Sequence, residues 1–184
     1  MSSKQATLTT WLLLTGTLTG CGITTTTDSR EPEEHAIERR PVADADASTT
    51  EMSSEILDII GVEGEVSRPG PGVGRCSGGP SSDLEKFYVI RHPWSISASS
   101  EKDLADAMER LREELPQRGW ELKKYGPNNS KARTLTLIAD HPKKKFGINI
   151  EFWDKLKEED VPSLVISVVS ACYQVPDGET VEHY

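Results

Sequence analysis

The chain has 184 residues, 35% hydrophobic and 28% charged, with a net charge of −9. That acidic balance excludes duplex nucleic acid as a partner, because binding it by counterion release needs clustered Lys and Arg. It also excludes adhesion to anionic head groups by charge alone, and the length allows one domain of ordinary size beside any extension.

Residues 1–20 carry one charged side chain, Lys4, ahead of an apolar run over residues 6–18. A cationic start, an h-region too short to span a bilayer and small residues before a cut describe a secretory leader. The run falls short of the ~20 apolar residues of a span and holds Thr7, Thr9, Thr10, Thr15 and Thr17, which argues against an uncleaved membrane helix. Leu18, Thr19, Gly20 and Cys21 resemble the lipobox of bacterial lipoproteins. The resemblance implies cleavage before Cys21 once its thiol carries a diacylglycerol, and two or three acyl chains make a stable anchor. An ordinary cleaved leader with a chance cysteine is the competing reading. Loss of residues 1–20 removes only Lys4, so the remainder is one unit more negative than the whole chain.

Residues 22–52 are poor in large apolar side chains and rich in Thr, Glu, Asp, Ala and Pro. Such a stretch does not bury enough surface to offset its ordering entropy, so residues 21–52 read as the acylated Cys and a disordered tether. His35 within it has no second ligand at a useful spacing.

From Ser53 the pattern changes. Met52, Ile56, Ile59 and Ile60 fall at helical spacing and Gly61 suits an end, which predicts a short helix over 54–60. Residues 61–80 read as loop, punctuated by glycine and proline. Within it, residues 70–74 mimic a phosphate-cradling glycine loop but follow no strand and open no helix. Ser77-Gly78-Gly79-Pro80 matches four residues of a chymotrypsin-type signature, with Cys76 in place of the aspartate, and is rejected.

Residues 86–92 predict a strand stopped by Pro93. Ser100 can cap a helix whose stripe is Leu104, Met108, Leu111 and Leu115. Its outer face pairs Lys102 with Asp106, Asp106 with Arg110 and Arg110 with Glu114. Pro116 should end it near Leu115, with Gly119 in the left-handed turn. Four strand-like runs follow, at 120–125, 133–140, 146–152 and 164–172, and residues 154–160 read as loop. The last run is apolar on both faces, as a central strand is.

This order predicts an α+β fold: a mostly antiparallel five-stranded sheet, one main helix on a face and a short N-terminal helix. The domain should span 53–178, with 179–184 as a tail. Besides Cys21 only Cys76 and Cys172 remain, and in an exported chain the default is one disulfide between them. It would close a loop of ~95 residues, worth about 4–5 kcal/mol in the chain-entropy model. It would also bring the first strand beside the last, giving the spatial order 2-3-4-5-1.

Candidate chemistry is sparse. His92, His141 and His183 stand at no metal-ligand spacing, so no metal or other cofactor is expected. His92 with Trp94 could line a pocket at a strand end, or His92 could simply satisfy that end by hydrogen bonding. Asp140-His141 beside three lysines could hold an anion or be a solvated turn. Trp94 and Trp153 follow strand ends, and either could stack on wall polysaccharide. No nucleophile signature supports an enzyme.

The whole chain resembles the secreted lipoproteins of high-GC actinobacteria. The likeness rests on the lipobox, the tether and the stretches Arg91-His92-Pro93-Trp94-Ser95, Leu115-Pro116-Gln117-Arg118-Gly119-Trp120 and Val169-Ser170-Ala171-Cys172. It implies no activity and carries over no catalytic residue. The expected function is non-enzymatic: a protein lipid-anchored at the extracytoplasmic face of the cell membrane, whose domain binds a protein or cell-wall partner. The alternative is an extracytoplasmic binder of a small ligand, which an apolar cleft beside His92 would favour.

Overall fold

The computed structural model describes residues 37–67, 69–76, 83, 85–154 and 161–181. The leader, the lipobox with Cys21, the tether through residue 36, residues 77–80, residues 155–160 and His183 lie outside them.

Helix α1 (Val42–Ile60) is far longer than the sequence predicts. Its buried stripe begins with small residues, Ala45 and Thr49, before Met52, Ile56, Ile59 and Ile60. Small side chains add little apolar signal, yet they let the helix lie close to its neighbours. Thr49 spends its hydroxyl on the Ala45 carbonyl at 2.7 Å, which makes its burial tolerable. Pro41, with φ −60°, sets the entry, and Gly61, at φ +54°, ends the helix by donating to the Leu57 carbonyl. The tether therefore does not reach residue 52, because residues 42–52 belong to the fold.

The stretch read as loop contains two short strands, β1 (Glu65–Val66) and β2 (Gly72–Gly74). Both pair with β3 (Phe87–Ser97), which runs straight through Pro93. Ser95 exchanges hydrogen bonds with Ser67, so the odd residues of β3 turn their backbone groups toward β1 and β2. Pro93 has its missing N–H on that same side, between the partners of Arg91 and Ile96. No ladder bond is lost there, and the strand continues.

Helix α2 (Glu101–Gln117) starts at the Ser100 cap, whose side chain accepts from the Asp103 N–H at 3.2 Å. Leu104, Ala107, Met108, Leu111 and Leu115 are buried. Pro116 is accommodated inside the last turn, where it removes a single bond, and the chain leaves through Gly119 at φ +90°. Of the predicted surface pairs Lys102–Asp106 forms, whereas Arg110 turns instead to carbonyls of α1.

Strands β4 (Glu121–Pro127), β5 (Leu135–His141), β6 (Phe146–Trp153), β7 (Ser163–Ser170) and β8 (Tyr173–Gln174) complete the sheet. Among the described residues it has eight strands rather than five, ordered β1-β3-β7-β6-β5-β4, with β2 and β8 also on β3. All of its strand pairs are antiparallel. The five long strands take the order inferred from the cysteines, with β7 central between β3 and β6. Cys76 and Cys172 are bonded, their Cα atoms 5.5 Å apart. A disulfide points to an oxidising, extracytoplasmic compartment. No described helix is long and apolar enough to cross a membrane.

The core fills the space between both helices and one sheet face, where Ile96, Leu137, Ile148, Ile150, Leu164 and Ile166 meet α1 and α2. A second cluster joins Ala45, Tyr88, Ile90, Tyr173, Val175 and Val181. Val181 is buried and donates its N–H to Glu85, so the chain past residue 178 is not a free tail.

Candidate functional site

On β3 the even residues face the helices. Tyr88, Ile90, Trp94 and Ile96 are buried there, while His92 is only half-buried because it meets a cleft. The cleft measures about 490 Å³ and lies between α1, β1, the Pro69–Pro71 segment and β3. Leu57, Val66, Pro69, Pro71 and Trp94 give it apolar walls, and Thr50, Ser53, Ser54 and Ser67 add hydroxyls. No lining residue among those described carries a fixed charge.

Three elements converge on His92. Its Nε2 stands 2.8 Å from the Pro69 carbonyl, and its Nδ1 stands 2.8 Å from Ser53 Oγ. A carbonyl only accepts, so Nε2 carries the hydrogen, and in the neutral ring Nδ1 accepts from the Ser53 hydroxyl. The imidazole thus pins the Pro69 segment to the middle of α1 and holds the cleft open between them. Trp94, 5% exposed, forms a wall, and its indole N–H has no hydrogen-bond partner among the described residues.

The order hydroxyl, imidazole, carbonyl superficially matches nucleophile, base and orienting group. Ser53, however, sits inside α1, where neighbouring N–H groups are consumed by the helix and none is left to stabilise an oxyanion.

The sequence paired His92 with Trp94, and the structure brings both to one cleft, though in the middle of a long strand rather than at a strand end. It gave no hint of Ser53, nor of Leu57, Val66 and the proline walls. These become neighbours of His92 only through the α1–β3 packing. His141 is buried edge-on to Trp120, ring centroids 5.2 Å apart, and its Nδ1 accepts from the Lys144 N–H at 3.2 Å. Lys144 and Lys145 pair with Glu55 and Glu38 at 3.2 and 3.1 Å, so much of the turn's charge is matched. Among the described residues no group of three or more His, Cys, Asp or Glu could hold a metal ion.

No known family model, curated protein or solved structure matches this chain. The cleft has to be interpreted from its own chemistry.

Proposed function

We propose that this is an exported, lipid-anchored binding protein that holds a small, uncharged, largely apolar ligand in the cleft beside His92. The cleft itself carries the reading: a concave, mostly apolar space within the roughly 300–1,000 Å³ of ordinary small-molecule sites, with a few polar groups to orient a guest. The hydroxyls of Thr50, Ser53, Ser54 and Ser67 suit a ligand with one or two polar groups. A charged ligand would lose its hydration there without a counter-charge among the described lining residues. The cleft moves weight from a protein or wall partner of the whole domain, the first expectation, to the small-ligand alternative. The anchor rests on the lipobox resemblance at Cys21, and the disulfide supports export.

Two measurements test this. Nile red, an uncharged apolar dye, should bind the full-length protein saturably with a blue-shifted emission. Thr50→Trp and Ser54→Trp, at exposed positions on the cleft rim, should weaken that binding at least about tenfold. Equal binding by all three proteins, or none by the wild type, contradicts the ligand reading. Separately, Cys21→Ala should move the protein from the membrane fraction to the soluble one, and unchanged fractionation removes the anchor.

A further inference from the structure

A second cleft lies on the sheet face turned away from the helices. Trp153 ends β6 pointing opposite to Phe152, whose ring packs against the core, and its indole is left 53% exposed. Trp153 is one of only two exposed large hydrophobics among the described residues, and the other, Val161, lines the same cleft. The indole is also held in place: Nε1 donates to Glu151 Oε2 at 3.0 Å, two residues back on the same face. Asn128 and Thr134 from the β4–β5 connection, with Glu151, Asp154 and Ser163, line a cleft of about 670 Å³ around it. Asn128 accepts from the Ser130 N–H through its Oδ1, and its amide donors have no partner among the described residues.

We propose that Trp153 is the stacking platform of a binding site for an uncharged saccharide chain. A pyranose has an apolar face of C–H groups and a rim of hydroxyls that both donate and accept. The cleft presents the complement: one aromatic plate, whose negative face attracts weakly positive C–H groups, with Val161 beside it and amide, hydroxyl and carboxylate groups around it. Among the described lining residues the charged groups are the carboxylates of Glu151 and Asp154, which disfavour phosphate- or carboxylate-bearing glycans. A protein partner fits less well, since the centre of a protein–protein patch is depleted of charge, whereas here a carboxylate is bonded to the aromatic itself. A quaternary ammonium would engage the indole but leave the surrounding hydroxyl and amide groups unused. The site lies on the opposite sheet face from the cleft beside His92 and stands independently of it.

The test is calorimetric titration of the full-length protein in detergent with chitotetraose, maltotetraose, laminaritetraose and choline. At least one of the three oligosaccharides should bind saturably below about 10 mM. Trp153→Ala should weaken that binding at least about tenfold, Trp153→Phe should retain most of it, and Glu151→Gln should weaken it by less. Trp153 is exposed, so the melting temperature of Trp153→Ala should stay near that of the wild type, and Ser54→Trp should bind the sugar normally. The proposal is overturned if no oligosaccharide binds, if only choline binds, if Trp153→Ala binds as the wild type does, or if Ser54→Trp abolishes sugar binding.

Discussion

Arg110, on α2, donates its guanidinium to the backbone carbonyl of Ile60, the last residue of α1, and also approaches the carbonyl of Ile59. The final carbonyls of a helix have no partner within it and sit at the negative end of its dipole, so a cation there gains twice. This bond ties the two helices together at the top of the core. Arg110→Met, which keeps the aliphatic stem, should destabilise the protein by about 1.5–3 kcal/mol in urea unfolding. Arg110→Lys should recover part of that loss as a point charge without the planar fork.

The fold begins well before Ser53. A chain starting at residue 53 lacks Ala45, Thr49 and Met52, all buried against the sheet or its neighbours, and should fail to give a cooperative unfolding transition. A chain starting at residue 37 should unfold as the full-length protein does. Met52→Ala alone should cost about 2–5 kcal/mol, read from the shift in urea midpoint.

The disulfide joins positions 96 apart, across the end of β2 and the turn after β7. Reduction, or replacement of both cysteines by serine, should remove about 3–5 kcal/mol of stability through the freed chain entropy of the unfolded state. The check is a melting curve with and without dithiothreitol, which should leave the double variant unmoved.

Stability should fall at alkaline pH. Burial, reinforced by the hydrogen bond to Glu109, pushes the Tyr125 hydroxyl up to about 12. Burial raises Tyr88 as well. An unfolded tyrosine ionises near pH 10. Between those values the unfolded chain releases protons that the folded one keeps, so unfolding becomes easier as pH rises. The tyrosine contribution is fully present below about pH 10 and is lost as pH climbs through 12. Urea midpoints measured from pH 9 to 12 should decline over that window, and less steeply in Tyr125→Phe.

Much of the architecture was legible because its signals are local or forced. The stripe of α2 and the alternation in β4 to β7 are periodic, and two cysteines allow one pairing, which placed β3 beside β7. What failed were features decided by neighbours. Pro93 breaks a strand only where its N–H would be needed, and the gap between β1 and β2 removes that need. Ala45 and Thr49 carry too little apolar weight to reveal a buried helix, so an acidic composition prevailed over a real stripe. Arg110 looked like the partner of Asp106 or Glu114 because the end of another helix is invisible in one dimension. His92 and Trp94 do line one cleft, but their company, Ser53 and the Pro69 carbonyl, comes from elements far apart in the chain.

The borders of the sheet have a further consequence. On one side stand, among the described residues, the two residues of β1 and the three of β2. On the other, β4 is interrupted by a bulge between Leu122 and Lys124 and carries Lys123 and Lys124 within it. Short, kinked and charged margins make poor templates for an incoming strand. Packed densely, copies of this protein should resist growing into fibrils, and a long incubation with an amyloid dye ought to stay dark.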